Sequence, residues 1–105
     1  MTKMIRFHLV LTAAIALAGS MSFAQAAGEA TYAAKCKTCH GATGTPSAGM
    51  AKAMGIKAAS DPEMKKLSIA EISAAIKSGK GKMKPVAGLS DAQIKDVATF
   101  YKGLK

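Results

Sequence analysis

The chemistry of this chain is concentrated in Cys36-Lys37-Thr38-Cys39-His40, followed at once by Gly41. Two thiols three positions apart sit on neighbouring points of one helical turn, and the imidazole that follows can reach the same centre. That spacing suits covalent attachment of a haem, with a thioether from each sulfur and a bond from the histidine nitrogen to the iron. Three other uses of these residues compete with it. A redox dithiol calls for a preceding strand and a βαβ pattern, and the sequence has neither. A closed zinc site takes four ligands, whereas the chain has two cysteines and its other histidine, His8, lies in an N-terminal leader. A structural disulfide suits an oxidising compartment but gives His40 no task. Haem attachment gives a task to all three side chains.

A second ligand for the iron is sought in Ser78-Gly79-Lys80-Gly81-Lys82-Met83-Lys84-Pro85-Val86. Its glycines and Pro85 oppose helix, and Met83 is its only large apolar side chain before Val86. A lone methionine in a basic loop is poorly explained as core filler. Its thioether is a soft ligand suited to haem iron opposite a histidine, and that pair raises the reduction potential. The alternatives are Met50 and Met54, one helical turn apart and explained by ordinary packing, and Met64, in a short charged segment.

Residues 1–26 read as a cleavable export signal. Lys3 and Arg6 supply the positive start, Phe7 to Ala18 the apolar stretch, and Ala24-Gln25-Ala26 the small-residue cleavage site. The apolar stretch is short for a membrane span, and no cysteine near the cut invites lipidation; an uncleaved anchor is the competing reading. Export places residues 27–105 in the periplasm as one small domain. The formal net charge is +9. From Glu29 to Asp61 the only charged residues between are Lys35, Lys37, Lys52 and Lys57, and from Glu71 to Asp91 they are Lys77, Lys80, Lys82 and Lys84. Such a surface attracts acidic proteins or anionic lipid, while nucleic acid fits poorly because no binding motif accompanies the charge.

The elements that must position these groups are helical. Gly28, Tyr32 and Cys36 share a stripe on a helix over 28–37. Thr43 to Pro46 form a loop, and 47–59 a short or irregular helix. Asp61-Pro62 starts a helix of about one turn, ending near Lys66. Ser68 with Glu71, and Ser90 with Gln93, have capping-box spacing; Leu67 with Ile72, and Leu89 with Ile94, have that of a hydrophobic staple. Ile69, Ile72 and Ile76 line one face of a helix ended by Gly79, and Ile94, Val97, Ala98, Tyr101 and Leu104 one face of a last helix. The fold class is therefore all-α, about four helices around one haem. With few aromatics and no tryptophan the core is thin, and a covalent cofactor would serve as both staple and filler.

Residues 27–105 resemble small monohaem class I cytochromes c along nearly their whole length, in the manner of a bacterial periplasmic electron carrier. The resemblance rests on Gly28 and Tyr32 before the Cys36-to-Gly41 motif, on Met83 followed closely by Pro85, and on a terminal helix with Phe100 and Tyr101. It implies one haem c held by Cys36 and Cys39, axial ligands His40 and Met83, and a crossing of the first and last helices that sets Gly28 against Phe100 or Tyr101. Two departures are visible. Relatives place a proline well after the proximal histidine to orient its ring, but Pro46 comes early; and Lys84 separates Met83 from Pro85. The expected function is one-electron transfer without catalysis, by a monomer whose partners are acidic redox proteins such as a terminal oxidase or reductase, with peripheral contact to anionic membrane. The rival function is a haem enzyme or gas-binding cytochrome with an open distal site. Lys35, Lys37, Lys80, Lys82 and Lys84 are expected on the rim of the haem crevice, with Lys57 away from it.

Overall fold

A computed structural model describes residues 23–105; most of the proposed export signal, residues 1–22, lies outside the described residues. Among the described residues, helix α1 covers 23–35 and is followed by five more helical segments: α2 (Lys37–His40), α3 (Ala48–Met54), α4 (Pro62–Lys65), α5 (Ile69–Ser78) and α6 (Asp91–Lys102). No strand occurs among the described residues; the one extended pairing is the isolated bridge between Lys80 and Met83. The fold is all-α as expected. Of these segments α2 and α4 are single turns.

Four of the starts have a local cause. Ser47, Asp61, Ser68 and Ser90 sit at the N-caps, and their side-chain oxygens accept from the backbone N–H of Met50, Glu63, Glu71 and Gln93. At Ser90 the capping box is complete, with the Gln93 side chain returning to the Ser90 N–H. At Ser68 only the first half forms, with the Glu71 N–H donating to the Ser68 hydroxyl. The helix expected over 28–37 is instead broken at Cys36, whose φ of −116° makes it the N-cap of α2.

The core is small: Tyr32, Ala59, Ile72, Ile76, Ile94, Val97, Ala98 and Tyr101. Helix α5 packs on α6, and α1 crosses α6 at Gly28. A Cβ at Gly28 would stand 2.5 Å from the Asp96 carbonyl oxygen and 2.9 Å from the Phe100 Cβ, so only glycine allows the two helices to approach this closely. Tyr32, one turn on, places its ring 5.4 Å from that of Phe100 and 6.4 Å from that of Tyr101. The expected crossing therefore exists, with Phe100 as the partner. It fixes the end of α1 from which the cysteine motif departs.

Candidate haem site

The motif is anchored at both ends. Cys36 N–H donates to the Tyr32 carbonyl at 2.9 Å, continuing α1 into the site, and His40 N–H donates to the Cys36 carbonyl at 2.9 Å. The Tyr32 hydroxyl, from the buried face of α1, donates to the Gly41 carbonyl at 2.6 Å. Burial, with smaller contributions from Cys36 and Tyr101, pushes that phenol up to about 12. Gly41 has φ +80°, and a Cβ there would meet the Thr45 carbonyl oxygen at 2.0 Å, so the chain turns sharply away directly after His40.

Met83 is positioned by a separate device. Lys80 and Met83 exchange two backbone hydrogen bonds, each 2.9 Å, around Gly81-Lys82. Gly81 has φ +58° and Lys82 a negative φ, the pattern of a type II′ turn with glycine at its first central position. Val86 N–H donates to the Ile76 carbonyl at 2.9 Å, returning the loop to α5. Gly79, at φ +80°, lets the loop fold back so closely that a Cβ would lie 2.7 Å from the Met83 carbonyl oxygen.

These elements wall a cleft of about 620 Å³, within the roughly 300–1,000 Å³ range of cofactor sites. Cys36, Cys39, His40 and Met83 all line it. So do Met54 and Met64, while Met50 does not. Neither Met50 nor Met54 is core filler, since α3 buries no residue; Met54 faces the cleft and Met64, on the charged turn α4, does so as well. On the rim stand Lys35, Lys80, Lys82 and Lys84 as expected, but not Lys37. Lys57, expected elsewhere, is there too, paired with Glu63. The Lys82 ammonium donates to the Ala53 carbonyl at 2.9 Å, joining the Met83 loop to the end of α3.

The chain alone leaves this site unfinished in ways that a haem fits. Both thiols are free rather than bridged, and burial, then the neighbouring Cys39, pushes the Cys36 thiol up. Burial lowers the His40 pKa, favouring the neutral imidazole that binds metal. His40 Nδ1 is sealed from solvent without a partner, which leaves Nε2 as the nitrogen available to the cleft. The Tyr101 hydroxyl is likewise buried and unpartnered, and its ring stands edge-on to His40 at 5.6 Å. No group of three His, Cys, Asp or Glu side chains able to hold a metal gathers among the described residues. Sequence reasoning placed Tyr101 in the core by its period but had no signal for its contact with His40, which only the crossing of α1 and α6 creates.

A small all-α domain with paired cysteines and a histidine opening into one apolar cleft defines a haem-binding cytochrome. The chain belongs to the family described as cytochrome c oxidase, cbb3-type, subunit III, whose model matches residues 23–100. It is also similar to the solved structure of KustC0563 c-type cytochrome, with 30% identity and a TM-score of 0.66, over 74% of this chain and 96% of that one. No curated protein matches it. Membership carries covalently bound haem c and electron transfer at its iron.

Proposed function

We propose that this chain is a one-electron carrier in which Cys36 and Cys39 hold the haem and His40 and Met83 are the axial ligands. The observation that carries the reading is that all four side chains line one cleft. When bound there, the iron supplies a one-electron couple, and a histidine–methionine pair sets it at high potential. The residues do the rest. Tyr32 clamps the Gly41 carbonyl and so fixes the end of the motif; the Lys80–Met83 turn and the Val86–Ile76 bond hold Met83 in place. Met83 packs against the core cluster, as does Met64, whereas Met54 does not. Met83 has the further advantage of a loop dedicated to its placement.

With both axial positions filled no substrate is transformed, and the chain is a carrier rather than an enzyme. The export signal over 1–26 is cut near Ala26, and residues 27–105 work in the periplasm as a monomer. Among the described residues no helix is long and apolar enough to cross a membrane; contact with an anionic surface is read from the lysines of the cleft rim. The partner is an acidic redox protein such as a terminal oxidase or reductase, attracted by the five lysines on the cleft rim, which outnumber Glu63 and Glu71.

The test is ligation. Met83→Ala should keep the haem attached, abolish the sulfur-to-iron charge-transfer band of the ferric protein, lower the potential and admit added ligands such as imidazole. A Met83→Ala protein with the original spectrum, together with loss of the band in Met54→Ala or Met64→Ala, moves the ligand to that methionine. A high-spin spectrum in the unsubstituted protein favours the open-site rival.

A further inference from the structure

The rim of the cleft is not evenly charged. Lys35, Lys80 and Lys84 are exposed and take no ion pair among the described residues. They stand together: Lys80 and Lys84 flank Met83 on its loop, and Lys35, at the end of α1, also lines a shallow hollow with Gly88 and Leu89 just beyond that loop. The stretch from Gly55 to Glu71 walls another part of the cleft and differs in charge. There Lys57 is paired with Glu63, and Glu71 adds a carboxylate. Hydrogen bonding to Glu63, with Asp61 a smaller contributor, raises the Lys57 pKa, so this lysine is already committed within the chain. The lysines near α4 do not offset these acids: Lys65 and Lys102 are bound to carbonyls between α4 and α6, and neither they nor Lys66 line the cleft. Lys82, tied to the Ala53 carbonyl, stands where the two arcs meet.

We propose that an acidic redox protein docks off-centre on this rim, its carboxylates on the arc of Lys35, Lys80 and Lys84 over the Met83 loop, with the arc of Lys57, Glu63 and Glu71 outside its footprint. This deepens the carrier reading and rests on it. The uncommitted charge decides the place: one arc offers three free cations and no acid, the other two acids and one lysine that is already paired. Docking there also sets the partner over the loop that carries Met83.

Distance and screening keep the arcs apart. Glu71 is in the first turn of α5 and Lys80 follows its end, so about 10 Å of helix, at roughly 1.5 Å per residue, lies between them. The Debye length near physiological salt is about 8 Å, shorter than that separation. A partner carboxylate about 6 Å from Lys80 then gains roughly 1.7-fold in affinity per unit charge, whereas a charge about 16 Å away changes it by under roughly 1.1-fold. At low salt the Debye length reaches about 30 Å and the whole rim acts as one positive field. Approach therefore uses the full rim, and the docked complex one arc of it.

The experiment uses the ferric holoprotein with reduced flavodoxin as the probe, an acidic protein whose flavin gives one electron to the iron. A free neutral flavin gives the same electron without docking, so the ratio of the two rates removes any change at the iron itself. At physiological ionic strength Lys80→Glu and Lys84→Glu should each slow the flavodoxin reaction roughly 3-fold, and Glu71→Lys should change it by less than about 1.2-fold. At low salt Glu71→Lys should speed it by roughly 1.5-fold. Backbone amides shifted on adding flavodoxin should fall at Lys35–Cys36 and in the Met83 loop, and spare Lys57, Glu63 and Glu71. Equal and opposite effects of Lys80→Glu and Glu71→Lys at physiological salt overturn the proposal and leave the carrier reading standing. Rates indifferent to salt and to every variant overturn the acidic partner along with it. If phosphatidylglycerol vesicles perturb the amides of the arc while flavodoxin perturbs none, the arc meets lipid and the proposal falls.

Discussion

Gly79→Ala tests whether the Met83 loop is built as described. Gly79 has φ +80° and ψ 164°, a region open almost only to glycine, where a side chain costs about 1–3 kcal/mol. The added Cβ would also stand 2.7 Å from the Met83 carbonyl oxygen and 2.9 Å from Pro85 Cδ, and neither is the free end of a flexible side chain. Overpacking of this kind adds about 1–3 kcal/mol if the loop stays. Either the full sum of at least about 2 kcal/mol appears as lost stability, or the loop moves and Met83 goes with it. At about 4–8 °C per kcal/mol for a domain of this size, the first outcome lowers the melting temperature by roughly 8–16 °C. Gly49→Ala is the control: it lies in α3 at ordinary φ with nothing within 4 Å, so it should gain about 0.5–1 kcal/mol from helix propensity alone. Thermal unfolding followed by circular dichroism, with the charge-transfer band of the ferric protein, reads both. If Gly79→Ala melts within about 2 °C of the parent and keeps the band, the loop is not held by this contact.

Two further outcomes follow from the same structure. A Cys36→Ala, Cys39→Ala protein made without haem should be largely unfolded, since eight buried apolar residues surround a cleft of about 620 Å³ that the chain does not fill; native-like helix content with a sharp thermal transition would refute this. The second-order rate with an acidic redox partner should fall steeply as the Debye length shrinks from roughly 30 Å to about 8 Å with added salt, and Lys82→Glu should lower it more than Lys95→Glu on the exposed face of α6; equal losses, or indifference to salt, would remove the steering role.

What the sequence made legible was local. Caps, staples and the 3.6-residue period need only a few consecutive residues, so Ser90 with Gln93 announced α6 and the isoleucines of α5 announced their buried face. The spacing of Cys36, Cys39 and His40 was equally readable because thioether attachment imposes it on adjacent residues. Contacts made by the crossing of distant elements were less so. Met64 looked idle in a charged turn and Met54 looked like packing, because their shared access to the cleft depends on how the turn at Gly55 and the Asp61 cap redirect the chain. Lys57 was misplaced for the same reason. Gly28 against Phe100 was anticipated through resemblance, not from the pattern itself, which marks Gly28 only as one member of a stripe.

The lysines show how a surplus of one charge can serve two ends. A small core leaves helix termini with unpaired carbonyls near the surface, and lysine supplies long, flexible donors for them. Lys82 takes the Ala53 carbonyl at the end of α3, Lys102 takes those of Lys65 at the end of α4 and Leu67 just beyond it, and Lys65 takes that of Leu104 after α6. These bonds stitch together segments that the thin core cannot. Lys35, Lys80 and Lys84 are on the rim without an ion pair among the described residues, so their charge is uncommitted to the fold. Lys82→Glu therefore removes a structural donor and reverses a rim charge at once, whereas Lys80→Glu and Lys84→Glu reverse charge alone. If steering is the function of the rim, all three slow the partner reaction at low salt, and only Lys82→Glu also loosens the Met83 loop. Should Lys82→Glu act while the other two do nothing, its effect comes from the lost bond to Ala53 and the positive rim is a by-product of how this small domain is held together.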